Sequence, residues 1–400
     1  MKSCTNWLIH NVNIVLEDRV AYGSVVVQNG KIDRVITEDS SNAAAVAAEN
    51  GLSTIDGENG HLLPGFIDVH VHGGFGADFM DADKGSFDTI TRFHASQGTT
   101  GMLATTMTAS KEAIEAVLHN VADYRSSDMP YAALYGVHLE GPFISEKWPG
   151  AQNPAFIKTP QLEWMQQWQA AWPGLVKQLT LAPEKEGSIE TIAWLAEHGI
   201  ITACGHTDAV YEEVIAAADA GLSQAVHTYN AMRGLHHREP GTLGAVLTDD
   251  RIAAELIADG VHVHPAAIRL LLAAKPADKI ILITDAMAAA GMPDGEYSLG
   301  GLAVVVKDGE ARLLEGNALA GSCLTMIGAL RFMREHTALP LEQLSRLASG
   351  NAAKQLGMSE LTGSIAIGKQ ADLVWTDAEL QVKRTWVQGR SVFDASSNEA

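Results

Sequence analysis

The chain has 400 residues, 46% of them hydrophobic and 19% charged, and a formal net charge of -20. So acidic a composition argues against nucleic-acid binding, which needs clustered Lys and Arg. No apolar run is long enough to span a bilayer. Three scattered cysteines, Cys4, Cys204 and Cys323, argue against a disulfide framework. With an N-terminus lacking the apolar core of a signal peptide, they point to the reducing cytoplasm.

In chain order, Trp7–Leu16 and Ser24–Gln28 read as strands, and Asn29–Gly30 marks a tight turn into a third, Lys31–Ile36. Ser40–Gly51 reads as a loop or short helix. The middle then alternates. β-branched apolar runs occur at Leu62–His72, Thr99–Thr106, Ala132–Glu140, Val176–Ala182, Ile200–His206, Gln224–Tyr229, Ile252–Ala258 and Lys279–Thr284. Helical spacing appears between them at Phe87–Gln97, Lys111–Tyr124, Ser188–Glu197, Ala209–Ala220 and Pro265–Ala274, whereas His236–Asp250 shows no clear helix. Gly300–Leu314 reads as an inserted hairpin and Leu324–Glu335 as the last barrel helix. Gly363–Gly368, Ala371–Thr376 and Gln381–Val387 are again short and β-rich.

Eight strands with intervening helices predict an α/β fold, a closed (β/α)8 TIM barrel over residues 62–345. The β-rich ends, residues 1–61 plus 346–400, predict one small β-sandwich domain built from both termini.

Polar groups collect at the expected strand ends. The first strand closes on His70 and His72, the third on Glu140, the fifth on His206, the sixth near His227, and Asp285 follows the eighth. The C-terminal ends of barrel strands share one mouth, and residues two apart on a strand share a face. Imidazole and carboxylate suit Zn²⁺ or a similar divalent ion. Such an ion lowers the pKa of bound water from about 15.7 to about 7 and polarises a carbonyl. A nearby carboxylate can then carry a proton from water to an amide nitrogen, and Asp285 is placed for it. Each residue alone has a blander reading: His-x-His occurs by chance, and Asp285 could cap a helix. Six such groups at five strand ends make the joint coincidence hard to sustain. Arg233, His236, His237 and Arg238 form the densest basic cluster and a candidate anion site, to which His262 could add, although a solvated loop explains the cluster equally well. His138 shares the face of Glu140 and reads as a supporting residue; His94 and the remaining histidines suit packing or the surface.

Pro64-Gly65-Phe66-Ile67-Asp68-Val69-His70-Val71-His72-Gly73 resembles the first-strand motif of the amidohydrolase superfamily. His138-Leu139-Glu140-Gly141-Pro142-Phe143, Gly205-His206-Thr207 and His227-Thr228-Tyr229-Asn230-Ala231-Met232 are more specific. So are Arg238-Glu239-Pro240-Gly241, Ala258-Asp259-Gly260-Val261-His262, Thr284-Asp285-Ala286 and Leu319-Ala320-Gly321-Ser322. Over nearly the whole chain these resemble the N-acetylglucosamine-6-phosphate deacetylase family, which includes N-acetylgalactosamine-6-phosphate deacetylases. The resemblance implies that Glu140, His206 and His227 hold the main metal, that His70 and His72 allow a second, and that Asp285 is the acid/base. It implies that Asn230, Ala231, Arg238 and His262 hold a sugar phosphate, that Ala151 and Gln152 belong to the substrate loop, and that Leu319, Ala320 and Gly321 line the pocket. A homodimer is implied, with Arg238 reaching the neighbouring site. The family usually carries His where Gly150-Ala151-Gln152-Asn153-Pro154 has Gln152, which can donate a hydrogen bond but carries no charge.

Two rival functions share parts of this pattern. One keeps the chemistry but opens a cyclic amide or acts on a nucleobase, a class that often bridges two metals with a carboxylated Lys on the fourth strand. Leu179-Thr180-Leu181-Ala182 offers none. The other is a non-catalytic binding module, which would be expected to have lost ligands that this chain keeps.

Overall fold

The computed structural model describes residues 6–37 and 43–397. Cys4 and the start of Ser40–Gly51 lie outside them; Ala43–Asn50 is helical.

Eight parallel strands form a nearly closed barrel, here labelled β1 (Phe66–Val71), β2 (Thr99–Thr106), β3 (Ala133–Glu140), β4 (Val176–Leu181), β5 (Ile201–Cys204), β6 (Gln224–Ala225), β7 (Ala253–Ile257) and β8 (Ile280–Ile283). Each pairs with the next in sequence. Across the remaining seam the Asp285 N–H donates to the His70 carbonyl at 2.9 Å. The strands are buried almost throughout because helices cover the outside. Val71, Met102, Val137, Leu139, Leu179, Leu181, Leu256 and Leu282 join helical residues such as Ile114, Ile192 and Ile268 in one cluster.

The helix missing from the reading of His236–Asp250 exists, at Gly241–Thr248. Gly241 through Leu247 are all buried, so the segment has no polar face and no amphipathic period to betray it. β6 is also shorter than expected. After Ala225 the chain turns, and His227, Tyr229 and Ala231 take positive φ of 29°, 83° and 48°.

The run Leu62–His72 is two strands. A Cβ on Gly65 would stand 2.2 Å from the Thr100 side chain, so the chain can cross there only as glycine. His61–Pro64 on the near side pairs with Trp7–Val15 and with Leu373–Thr376. Strands from both termini thereby form one hydrogen-bonded sheet, ordered Arg390–Asp394, Val382–Val387, Leu373–Thr376, His61–Pro64, Trp7–Val15, Val20–Gln28, Lys31–Ile36. Trp7 stacks on Trp386 at 4.6 Å and its indole N–H donates to the Gly389 carbonyl at 2.8 Å, joining the two ends. Gly363–Gly368, expected as a strand, is a turn, with both glycines near φ 90°. Residues 341–355 form a helical run that crosses the expected border at 345/346. Its Ala352 and Ala353 pack with Ile67, Val69, Ile281 and Ile283, and the Ser349 hydroxyl donates to the Gly65 carbonyl at 2.9 Å. This run, after the helix Met326–His336, covers the β8–β1 seam.

The expected hairpin gains a strand and becomes a three-stranded sheet, Gly295–Leu299, Leu302–Lys307 and Glu310–Leu313. Among the described residues no helix is long and apolar enough to cross a membrane.

Behind β1, the buried His94 ring sits 3.0 Å from the Gly73 carbonyl and props the turn after His72. Burial pushes its pKa from 6.5 down to about 4, against that hydrogen bond. The unfolded chain takes up this proton near pH 6.5 and the folded chain only near 4. The stability from a neutral His94 is therefore complete above pH 6.5 and is lost as pH falls through 4. The loss approaches about 3 kcal/mol at 1.36 kcal/mol per pKa unit. In urea titrations at pH 7 and 4.5, His94→Gln should flatten the acid-side decline; an unchanged decline would refute this.

Candidate metal and substrate site

The barrel brings His70, His72, Glu140, His206, His227 and Asp285 to one mouth, all buried. His70 and His72 come from the end of β1 and Glu140 closes β3. His206, His227 and Asp285 each lie two residues beyond their strands, with φ of 47°, 29° and 51°. Such left-handed backbone is unfavourable for residues with a Cβ and persists where the surroundings impose it.

Glu140 is the hub. Its Oε1 lies 3.3 Å from His206 Nε2 and 3.2 Å from His227 Nε2, and the two nitrogens are 3.1 Å apart. The other ring nitrogens face carbonyls: His206 Nδ1 is 2.9 Å from the Trp148 oxygen and His227 Nδ1 is 3.1 Å from the Asn230 oxygen. A carbonyl can only accept, so each Nδ1 carries the proton and each Nε2 presents a lone pair. Three acceptors therefore converge with no donor among them, an arrangement that requires a cation. Four ligands about 2.0–2.1 Å from a tetrahedral ion would stand roughly 3.3 Å apart, and these three atoms have that spacing.

A second group shares Glu140. His70 Nε2 is 3.1 Å from Glu140 Oε1, and His72 Nε2 is 3.2 Å from Oε2 and 3.3 Å from Asp285 Oδ1. Burial alone would lower His72, but its bonds to Asp285 and Glu140 lift it to about 9. Burial would likewise raise both carboxyls, yet the imidazoles hold Glu140 well below, and Asp285 below, the usual range. Two carboxylates and four imidazoles thus converge on one spot, and this donor set fits one or two divalent ions.

His72, Glu140, His206, His227 and Asp285 line a cavity of about 330 Å³. Ala151, Gln152, Asn230, Ala231, His262, Leu319 and Gly321 line it too. The Asn230 amide nitrogen is buried with no protein partner. Gln152 accepts the Thr108 N–H at 2.7 Å and turns its own N–H to Glu140 Oε2. Ala320 is fully buried among Met107, Leu299 and Ala311 and is not part of the lining.

The expected basic cluster comes apart. The Arg233 guanidinium is held at 2.7 Å by both the Asp208 carboxylate and its backbone carbonyl. His236, His237 and Arg238 sit on an exposed loop that does not line this chain's cavity. The cation beside the cavity is Lys147, which with the Trp148 indole also bonds Asp208, at 2.7 and 3.0 Å. This hub, with Asp208 held to about 2 mainly by Lys147 and Trp148, pins the loop whose Trp148 carbonyl orients His206. Sequence reading passed over it because its members are far apart in the chain. It also passed over Glu255, fully buried 2.9 Å from His70 Nδ1. A lone acid inside the apolar run Ile252–Ala258 was the available signal. His138 is buried edge-on to His70 at 4.6 Å and bonded to the Thr180 hydroxyl at 2.7 Å. Burial, then the neighbouring His70, holds its pKa well below the ordinary value, so it is a neutral packing partner.

A family model described as the amidohydrolase family matches residues 61–392. The chain is 41% identical over 390 residues to an N-acetylglucosamine-6-phosphate deacetylase of Bacillus subtilis (strain 168), covering 96% of this chain and 97% of that protein. It is 41% identical over 329 residues to an N-acetylgalactosamine-6-phosphate deacetylase of Escherichia coli O157:H7, covering 82% and 87%. The solved N-acetyl-D-glucosamine-6-phosphate deacetylase of Mycobacterium smegmatis, in complex with N-acetyl-D-glucosamine-6-phosphate, superposes with a TM-score of 0.89 at 31% identity, covering 97% of this chain and 99% of that one.

Proposed function

Because the chain belongs to the amidohydrolase family, we propose that it is a metal-dependent deacetylase converting N-acetyl-D-glucosamine 6-phosphate to glucosamine 6-phosphate and acetate in amino-sugar catabolism. The observation that carries the reading is the convergence of three lone-pair donors, on Glu140, His206 and His227, beside Asp285 in a cavity of sugar size. A divalent ion there, Zn²⁺ by donor chemistry, supplies Lewis acidity and a nucleophilic water at neutral pH. Glu140, His206 and His227 hold it, and His70 and His72, with Glu140, provide for a second. Asp285 takes the proton from the attacking water and returns it to the departing nitrogen. Gln152, its amide fixed by Thr108 N–H, presents an N–H toward the acetamide. Asn230, Ala231 and His262 contact the sugar phosphate, and Ala151, Leu319 and Gly321 wall the pocket, with Ala320 supporting that wall from behind.

We infer a cytoplasmic homodimer in which Arg238 serves the partner's cavity, since it is exposed and stands outside the lining of its own chain's cavity. The terminal β-unit, residues 1–61 plus 346–400, and the barrel, 62–345, are kept as units with the second border moved past Gln355, because residues 341–355 pack on β1 and β8. The galactosamine epimer is the second reading, favoured by the relative that acts on it. The non-catalytic alternative is disfavoured because the donor set is intact.

Protein supplied with Zn²⁺ should release acetate from N-acetylglucosamine 6-phosphate. It should lose on the order of 10²-fold in kcat/KM on the unphosphorylated sugar, the worth of roughly two charge-assisted hydrogen bonds. The same preparation should sediment as twice 42.6 kDa. No acetate from either epimeric 6-phosphate would sink the enzymatic reading; a single-chain mass would sink the dimer.

A further inference from the structure

Glu255 is the one acid on β7, and none of its surface meets solvent. A buried carboxylate is costly unless its oxygens are satisfied, and these are. The Gln178 amide N–H donates to Oε1 at 2.8 Å and the Gln224 amide N–H donates to the same oxygen at 2.5 Å. Gln224 also donates to Gln178 Oε1 at 2.9 Å, so the two amides brace each other. Oε2 is left facing His70 Nδ1 at 2.9 Å. Oε2 is thus placed to accept from the ring, so His70 keeps a hydrogen on Nδ1 and leaves Nε2 as the nitrogen that can face an ion. That Nε2 has no hydrogen-bond donor around it and lies 3.1 Å from Glu140 Oε1.

We propose that Glu255 is a positioning residue that fixes the tautomer of His70, and that the Glu255–Gln178–Gln224 assembly thereby decides whether a second ion can sit beside the first. The proposal rests on the metal centre proposed above. It adds that the second position, on His70, His72 and Glu140, is made in the barrel interior and not by the ligands alone. The first position does not depend on it, because His206 and His227 take their tautomers from backbone carbonyls. The isosteric amide tests the logic sharply. In Glu255→Gln the side-chain oxygen turns to meet the two donating glutamines and its NH₂ faces His70. Nδ1 must then accept, the ring proton moves to Nε2, and that nitrogen can no longer bind a cation.

The experiment is a Zn²⁺ titration of metal-free protein against a chromophoric chelator, alongside ¹⁵N-imidazole NMR of the metal-free state. Wild type should take two equivalents. Glu255→Gln should hold the first within about threefold and bind the second 10- to 100-fold more weakly, the usual cost of losing an orienting partner. In wild type the His70 resonance, identified by its loss in His70→Asn, should report Nδ1–H; this needs no Glu255 variant to fold. An undiminished second equivalent in Glu255→Gln, or a His70 Nδ1 without hydrogen in wild type, overturns the proposal. A wild type that binds one equivalent overturns it while leaving the deacetylase reading intact. No bound equivalent overturns that reading itself.

Discussion

Asp285→Asn should lower kcat by three to four orders of magnitude while the KM for the 6-phosphorylated sugar stays within about threefold. Asparagine is nearly isosteric and tolerates the left-handed backbone at φ 51°, so the N–H that closes the β8–β1 seam on the His70 carbonyl is kept. What is lost is a proton acceptor. The His70 and His72 imidazoles overcome burial and hold Asp285 ionised, ready to accept a proton, whereas an amide cannot accept one at neutral pH. A positioned acid/base contributes typically 10²–10⁴-fold, and here one group serves both attack and departure. Steady-state kinetics with metal content on the same sample decide the matter. A loss of less than tenfold, with the ion at Glu140, His206 and His227 retained, would move the proton transfer to another residue.

Glu140→Gln should have the larger effect, because it strikes both donor groups at once. Oε1 serves His206, His227 and His70, and Oε2 serves His72. The amide removes the shared negative charge and can offer only one ligand oxygen. Zn²⁺ affinity should fall at least 10³-fold and turnover by more than about 10⁴-fold, since structural-grade binding of about 10–16 kcal/mol depends on the full ligand set. Wild type treated with chelator should lose activity to a similar degree and regain it on adding Zn²⁺, whereas the variant should not. A variant that keeps its metal through gel filtration and turns over within tenfold of wild type would show that the Glu140 hub is dispensable.

Much of the fold was legible because periodicity reports burial. Ser188–Glu197 and Pro265–Ala274 have one apolar and one polar face, and the helices span the limits that the periodicity predicts. The failures have physical causes of the same kind. Gly241–Thr248 is buried on all sides and shows no period. Gly363–Gly368 is apolar enough for a strand, but its glycines turn the chain. The run Leu62–His72 is continuous in composition and divided in space, since a steric contact at Gly65 leaves no mark in the hydropathy.

The reactive groups can be named from the order of the residues alone. Histidines and carboxylates at the ends of spaced apolar runs have few other ways to meet, because a parallel barrel delivers every strand end to one rim. How those groups are charged and aimed follows from the folded surroundings of each. Which ring nitrogen carries a proton depends on what lies behind it, whether the Trp148 and Asn230 carbonyls or the buried Glu255 carboxylate. Whether a basic residue serves this chain's cavity depends on whether a neighbour such as Asp208 already holds it. Hydrogen bonds act over about three ångströms between residues 185 positions apart at His70 and Glu255 and 382 apart at Trp7 and Gly389, and no local pattern encodes a contact of that kind.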